Sequence, residues 1–84
     1  MKVDQNTIVF SSTPKWYFLE EGGLKPNTVR WLGSGEYHDL LDQPPNRIRI
    51  TDSNHMRSFS RNIRWWGVLG DCLGRYLVMF CWET

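Results

Sequence analysis

The chain has 84 residues, which is enough for one hydrophobic core and a single domain over residues 1–84. With 40% hydrophobic and 23% charged residues, the composition indicates a globular protein and excludes a disordered one. Five Trp, four Phe and three Tyr supply large rings for that small core. No leader opens the chain and no apolar run approaches the length of a membrane span, so we expect a cytoplasmic protein without a membrane partner.

Cysteine and histidine give no sign of a disulfide framework or a metal site. The two cysteines, Cys72 and Cys81, lack the paired spacing and the histidine partners of a zinc site, so we expect free thiols. His38 and His55 are isolated in the sequence and are interpreted as surface residues. We therefore predict no metal and no cofactor.

The positive charge is concentrated in one segment of a nearly neutral chain. Residues 46–64 carry a net charge of +4, whereas the whole chain carries +1. Arginine outnumbers lysine seven to three, which favours bidentate recognition of phosphate or carboxylate. A solvated strand face would explain the same pattern. The arginines of this segment are Arg47, Arg49, Arg57, Arg61 and Arg64.

The first elements in chain order are a short strand and a short helix. Thr7–Phe10 is β-branched and aromatic, which predicts a strand. Ser11–Pro14 offers a hydroxyl cap followed by proline, a signal for the start of a helix. The helix runs from Lys15 to Glu21, and Gly22-Gly23 ends it. We expect it to direct three side chains towards the core: Trp16, Phe18 and Leu19.

A second strand and a second helix follow. Thr28–Leu32 favours an extended strand. A short helical segment begins at Ser34 and ends near Asp42, closed by Pro44-Pro45. Its apolar residues recur at helical spacing and predict one buried face. They are Tyr37, Leu40 and Leu41.

The C-terminal half reads as three strands. Arg47–Thr51 alternates strictly, with its isoleucines inward. Asp52–His55 is a turn, after which Arg57–Leu69 resumes the alternation. Tyr76–Trp82 is the most hydrophobic strand. Consecutive strands with short connections usually pair antiparallel, so we expect a meander of segments 46–51, 57–69 and 75–83.

Two features of the long strand 57–69 bear on function. Its alternation places Trp65 inward and Trp66 outward, where the second ring could stack on a base or meet a protein partner. Arg61 falls on the apolar face, which indicates a bulge or a functional polar contact there. The whole chain is thus expected to be α+β: a small, strongly curved antiparallel sheet or β-barrel with one or two short helices.

The most informative polar stretch is the loop after the first helix. Gly22-Gly23 allows a sharp turn and close approach of backbone amides to a ligand. Lys25 offers a compact cation, Thr28 a hydroxyl and Arg30 a flat fork of donors. On an extended chain Thr28 and Arg30 point to the same face. The group suits a planar, hydrogen-bonding or anionic ligand.

Gly23, Lys25 and Arg30 have the spacing of the GxKxxxxR signature of ASCH domains, which the chain therefore resembles. These domains are relatives of the PUA RNA-binding β-barrels. The resemblance covers residues 14–30 by motif and the remainder by strand order. It implies a PUA-like fold and a cleft that binds a nucleotide, a modified base or RNA.

The same resemblance raises the question of catalysis. Small ASCH acetylcytidine amidohydrolases place a catalytic threonine three residues after a catalytic lysine, where this chain has Thr28 and Lys25. Those enzymes also need a glutamate later in the chain, and here that half offers only Glu83 at the C-terminus. We therefore assign no catalytic residue, and activity as an enzyme stays open, with non-catalytic binding favoured.

Three functions are carried forward. The first is an ASCH/PUA-like module that binds a nucleotide, a modified base or RNA. The second is a phage-type inhibitor of a host enzyme or defence system, such as an anti-CRISPR protein, acting on a host protein in the host cytoplasm. The third is an acylated-nucleoside amidohydrolase, ranked lowest. The predicted ligand-binding residues are Lys25, Thr28, Arg30, Arg49, Arg61, Arg64 and Trp66.

Overall fold

A computed structural model describes residues 2–54 and 57–84 and confirms the α+β class. The described residues form six strands and two helices in the predicted order, preceded by one further strand at the N-terminus. His55, the last residue of the predicted turn, lies outside the described residues. The elements are β1 (Lys2–Asp4), β2 (Thr7–Ser12), α1 (Pro14–Glu21), β3 (Asn27–Gly33), α2 (Ser34–Asp42), β4 (Arg47–Asp52), β5 (Ser58–Cys72) and β6 (Arg75–Trp82).

The strands form one mixed sheet in the order β1-β2-β4-β5-β6-β3. The predicted antiparallel meander of β4, β5 and β6 is confirmed. The prediction of a wholly antiparallel sheet is wrong, because β2 and β4 pair in parallel. The chain between them passes through α1, β3 and α2, the long kind of crossover that parallel neighbours require. The sheet is open, with β1 and β3 as its edges in the described part of the chain.

Strand β5 bends the sheet by serving both of its halves. Its first part, Ser58–Asn62, pairs with β4, and its remainder, from Ile63, pairs with β6. Two register shifts interrupt the second part, and such bulges bend and twist a strand. The two halves of the sheet therefore curve around a shared concave side.

The hydrophobic core fills this concave side. Ile48 and Ile50 are fully buried, as the alternation of β4 predicts. The rings of Phe10 in β2 and Phe80 in β6 meet with centroids 5.3 Å apart, which closes the core across the sheet. The remaining buried hydrophobic residues are Ile8, Tyr17, Leu32, Leu40, Phe59, Val78 and Trp82.

Helix α1 buries a different face from the one predicted. Trp16 and Phe18 are 47% and 58% exposed, whereas Tyr17 and Glu20 are buried. Tyr17 packs against Phe59 with ring centroids 5.4 Å apart, which turns the helix so that the residue three positions later is also buried. Thr13 is the residue before the helix, but its side chain forms no capping bond.

Helix α2 follows its predicted pattern in part. Leu40 is buried and Tyr37 stacks on Tyr76 of β6 at 4.2 Å between ring centroids. Leu41 was expected on the same face but is half-exposed. A nine-residue helix lying on the end of a small sheet covers only a narrow stripe of it.

The orientation predicted for the two adjacent tryptophans is reversed by a bulge. Between Ile63 and Trp65, β5 gains one residue relative to β6, so its alternation inverts after that point. Trp66 is half-buried and stacks on Phe80 at 6.1 Å, whereas Trp65 is half-exposed. The bulge predicted at Arg61 thus lies three residues further along.

Two observations bear on chemistry and compartment. Cys72 and Cys81 are free thiols. Among residues 2–54 and 57–84, no helix is long and apolar enough to cross a membrane.

Candidate functional site

The turn after α1 places Lys25 beside the helix. The Gly22 amide donates to the Phe18 carbonyl at 3.0 Å, and Gly23 adopts a φ of 82°, which glycine reaches without a steric penalty. The Lys25 amide then donates back to the Leu19 carbonyl at 3.0 Å. The loop is therefore folded against the last turn of α1 before β3 begins.

Lys25 forms an ion pair with the buried residue Glu20. The Lys25 ammonium lies 3.1 Å from Glu20 Oε2 and donates to the Asn27 carbonyl at 2.7 Å. The side chain of Glu20 is 1% exposed and that of Lys25 is 29% exposed. A buried carboxylate needs such a cation, since an isolated buried charge is very costly.

Thr28 and Arg30 both face the concave side of the sheet, as predicted from their spacing. Their partners across β6 are Phe80 and Val78, which are buried. Arg30 Nε donates to Thr28 Oγ1 at 2.9 Å, and Nη1 donates to the Ser11 carbonyl at 2.8 Å. The two residues therefore act as one unit.

Ser12 connects these two pairs into one polar network. Its Oγ accepts from Arg30 Nη2 at 2.9 Å and donates to Glu20 Oε1 at 2.7 Å. Each hydrogen bond to a charged group is stronger than a neutral one, so the network holds its members in place. The series runs from Thr28 through Arg30, Ser12 and Glu20 to Lys25.

The Arg30 guanidinium lies over an aromatic ring within the protein. Its Cζ is 4.8 Å from the centre of the Phe10 ring, a cation–π distance. Burial lowers the pKa of the Arg30 guanidinium below its ordinary value, and the negative charge of Glu20 opposes that shift. Arginine keeps its charge under these conditions. The site therefore holds two cations and one carboxylate.

The network forms the floor of a pocket of about 400 Å³ between α1 and β3. Trp16 forms one wall with a half-exposed indole, and the Lys25 ammonium lies 5.7 Å from the ring centre. Three of the five Arg30 N–H groups and two of the three on Lys25 have acceptors within the described residues, which leaves donors for a ligand. The lining residues are Ser11, Ser12, Thr13, Trp16, Glu20, Lys25, Thr28, Val29 and Arg30.

The remaining predicted site residues do not line this pocket. Arg49 lies exposed on β4 and donates to Ser60 at 3.3 Å, and Arg64 is exposed at the bulge. Arg61 lies over the Phe59 ring and donates to the Glu21 carbonyl at 3.2 Å, so it binds the C-terminal end of α1. Trp66 lies on the inner side of the sheet. The predicted set is thus divided between separate surfaces.

Sequence analysis missed three residues of the pocket: Ser12, Trp16 and Glu20. Ser12 continues the inward alternation of Ile8 and Phe10 in β2, a signal for a buried polar position. Glu20 lies three residues after Tyr17, on the same helical face, but a glutamate at this spacing usually indicates a solvated face. No sequence signal distinguishes the buried case from the solvated one.

Two searches gave no further lead. No cluster of His, Cys, Asp and Glu that could hold a metal ion occurs among the residues that the structure describes. Comparison of the chain with protein families, curated proteins and solved structures found no match.

Proposed function

We propose that this protein is a small binding module for a nucleotide or a modified base, as the ASCH resemblance implies. The supporting observation is that Lys25, Thr28 and Arg30, the motif residues, meet in one pocket whose wall is the Trp16 indole. Motif spacing alone did not require this convergence.

The free groups of the pocket define the chemistry of its ligand. Lys25 and Arg30 present unused N–H donors, while Glu20 is occupied by Ser12 and Lys25. Such a site selects a ligand with acceptor oxygens, such as a base carbonyl or a phosphate. The net charge of the pocket also favours an anion.

The Trp16 indole gives the ligand a flat surface. Stacking of a base on an aromatic side chain contributes about 1–3 kcal/mol. The neighbouring Lys25 ammonium is placed to contact a phosphate or carbonyl of the stacked ligand. A base against Trp16 and an oxygen at Lys25 and Arg30 would together occupy the pocket.

Binding is favoured over hydrolysis by the state of Thr28. The residue is 3% exposed, and its Oγ1 accepts the Arg30 Nε hydrogen at 2.9 Å. A nucleophile must be accessible to the atom that it attacks. We therefore expect no turnover of an acylated nucleoside such as acetylcytidine.

The test is a titration with AMP, GMP, CMP, UMP, their nucleosides and acetylcytidine, followed by calorimetry and tryptophan fluorescence. We expect at least one probe to bind and Trp16→Ala to weaken it roughly 5- to 150-fold. Lys25→Gln should weaken nucleotides more than nucleosides, because it removes the charge and keeps a donor for Glu20.

Matched controls are available for both variants. Lys15 lies 5.5 Å from the same Trp16 ring but does not line the pocket, so Lys15→Gln should leave affinity unchanged. Trp31 has the same 47% exposure as Trp16 on another face, so Trp31→Ala should also have no effect. The proposal fails if no probe binds at about 1 mM, where affinities above about −4 kcal/mol become undetectable. Equal losses in Trp16→Ala and Trp31→Ala would also contradict it.

A further inference from the structure

The side of the sheet opposite the core carries an exposed apolar surface, here called the convex face. On β3, Val29 and Trp31 are 42% and 47% exposed, and on β5 Trp65 is 50% exposed. Residues paired directly across antiparallel strands share a face, so β6 contributes their partners. The convex face consists of Val29, Trp31, Trp65, Leu77, Met79 and Cys81.

The indole of Trp65 lies flat on this face. A Cβ built on Gly67 would be 2.6 Å from Trp65 Cζ2 and 2.9 Å from Cη2, so the ring covers the glycine. The ring thereby fills the gap beside Met79, whose partner on β5 is Gly67. The result is a level apolar surface of the kind that packs against another sheet.

The charges along β6 are arranged for self-complementarity. Alternation along this strand places Arg75, Leu77, Met79 and Cys81 on the convex face, and Glu83 follows at the same spacing. Arg75 and Glu83 are both exposed, and neither has an ion-pair partner among the described residues. One end of the row is therefore positive and the other end is negative.

We propose that a second copy of this chain covers the convex face. A two-fold axis near Met79 would run the two β6 strands antiparallel and stack the two faces. Arg75 of each copy would then lie near Glu83 of the other, and the apolar residues would meet between them. No other pairing of identical faces brings both ends of the row to opposite charges.

The area of the face fits a weak dimer. A large aromatic ring can bury about 150–250 Å², and two such rings are half-exposed here. With the four smaller residues, each copy would bury on the order of 400–500 Å², or about 800–1,000 Å² in total. This is near the lower limit for a specific interface, so the dimer should be concentration-dependent.

The geometry of stacked sheets is compatible with the end contacts. Packed sheets lie about 10 Å apart with strands about 30° from parallel. Four residues from the axis, at about 3.3 Å per residue, the two β6 strands would diverge by on the order of 7 Å. The long side chain of Arg75 can span such a gap to a carboxylate.

The test is sedimentation velocity of the full chain from about 1 µM to about 1 mM, a range that brackets a weak interface. We expect a reversible monomer–dimer equilibrium. Met79→Lys would place two ammonium groups together at the axis and should raise the dissociation constant at least tenfold. Leu41 is 50% exposed on α2, away from this face, so Leu41→Lys should leave the equilibrium unchanged.

A charge exchange tests the arrangement without altering the apolar residues. Arg75→Glu and Glu83→Arg should each weaken the dimer, and the double variant should restore it. Dimerisation that is equally sensitive to Leu41→Lys, or a double variant that is weaker than both single ones, would overturn the proposal. A wild-type chain that stays monomeric throughout the range would overturn it as well.

Discussion

The buried carboxylate of Glu20 lies 3.1 Å from the ammonium of Lys25, the first basic residue of the motif. Glu20 also accepts the Ser12 hydroxyl at 2.7 Å. Lys25 is therefore both a ligand-facing cation and the counter-ion of a buried charge. Its two roles can be separated because the second depends on the charge of Glu20.

We expect Lys25→Met to lower the free energy of unfolding by about 1–2 kcal/mol, because it leaves the Glu20 carboxylate without its cation. The solvent exposure of Lys25 limits the cost. In a Glu20→Gln background the same substitution should cost less. Urea denaturation of the four proteins measures this coupling. Equal costs in both backgrounds would show that the ion pair contributes no stability.

Thr28 should matter through the hydrogen bond that it accepts. Thr28→Val keeps the β-branch but leaves the Arg30 Nε hydrogen without its acceptor, which should cost about 1–3 kcal/mol and weaken ligand binding. Thr28→Ser keeps the hydroxyl and loses a buried methyl, worth about 0.8 kcal/mol. Thermal melts and titrations of both variants decide the point. A Ser variant that binds as poorly as the Val variant would contradict this role.

Much of the fold follows from local sequence patterns. Strict alternation in Arg47–Thr51 predicts β4, and proline at residue 14 with glycines at 22 and 23 predicts the bounds of α1 to within a residue or two. The parallel pairing of β2 with β4 could not be predicted in this way. It depends on the path of the chain through α1, β3 and α2, and no local pattern encodes that path.

The site was predicted as far as its residues lie in one short segment. Lys25, Thr28 and Arg30 are close in sequence, so turn and strand geometry suffice to bring them together. Ser12 enters from another strand and Glu20 from a buried helical position, and both contacts depend on tertiary packing. The extra residue near Arg64 has the same character, since one inserted position exchanged the roles of two tryptophans.

Two glycines of β5 should respond differently to alanine. A Cβ at Gly67 would meet the Trp65 ring at 2.6 Å, whereas a Cβ at Gly70 would meet nothing within 4 Å. Gly70→Ala should therefore gain up to about 0.5–1 kcal/mol of stability from lower chain entropy. Gly67→Ala should gain less and displace the indole into water. Urea denaturation gives the stabilities, and a red shift of tryptophan fluorescence confined to Gly67→Ala gives the displacement. Identical spectra and stabilities in the two variants would contradict the ring position.

Stability should fall at alkaline pH partly because of Tyr17. Burial raises the pKa of Tyr17 above its ordinary value of 10.0; the negative charge of Glu21 raises it further, and the positive charge of Arg57 opposes the shift. The unfolded chain then loses this proton first, so Tyr17 contributes stability below about pH 10 that is lost as pH rises through the folded value. Urea denaturation across this range should show a shallower loss in Tyr17→Phe than in the wild type. Parallel curves for the two proteins would exclude this contribution.

The exposed arginines of the basic segment should act separately from the pocket. Arg49 lies on the face of β4 opposite the core and does not line the pocket. If this face contacts RNA, Arg49→Ala should weaken binding of a single-stranded oligonucleotide and reduce its salt slope by roughly 0.7 per lost phosphate contact. Mononucleotide affinity should not change. Arg57 is a matched control from the same segment: its guanidinium donates to Asp52 at 2.9 Å and lies 5.1 Å from the Tyr17 ring centre. We expect Arg57→Ala to lower stability and to leave the salt slope intact. Titrations from about 50 to about 200 mM salt cover the range in which counterion release changes affinity most. Absence of RNA binding at the lower salt would show that these arginines only solvate the strand, and it would leave the pocket as the sole binding site proposed for a nucleotide.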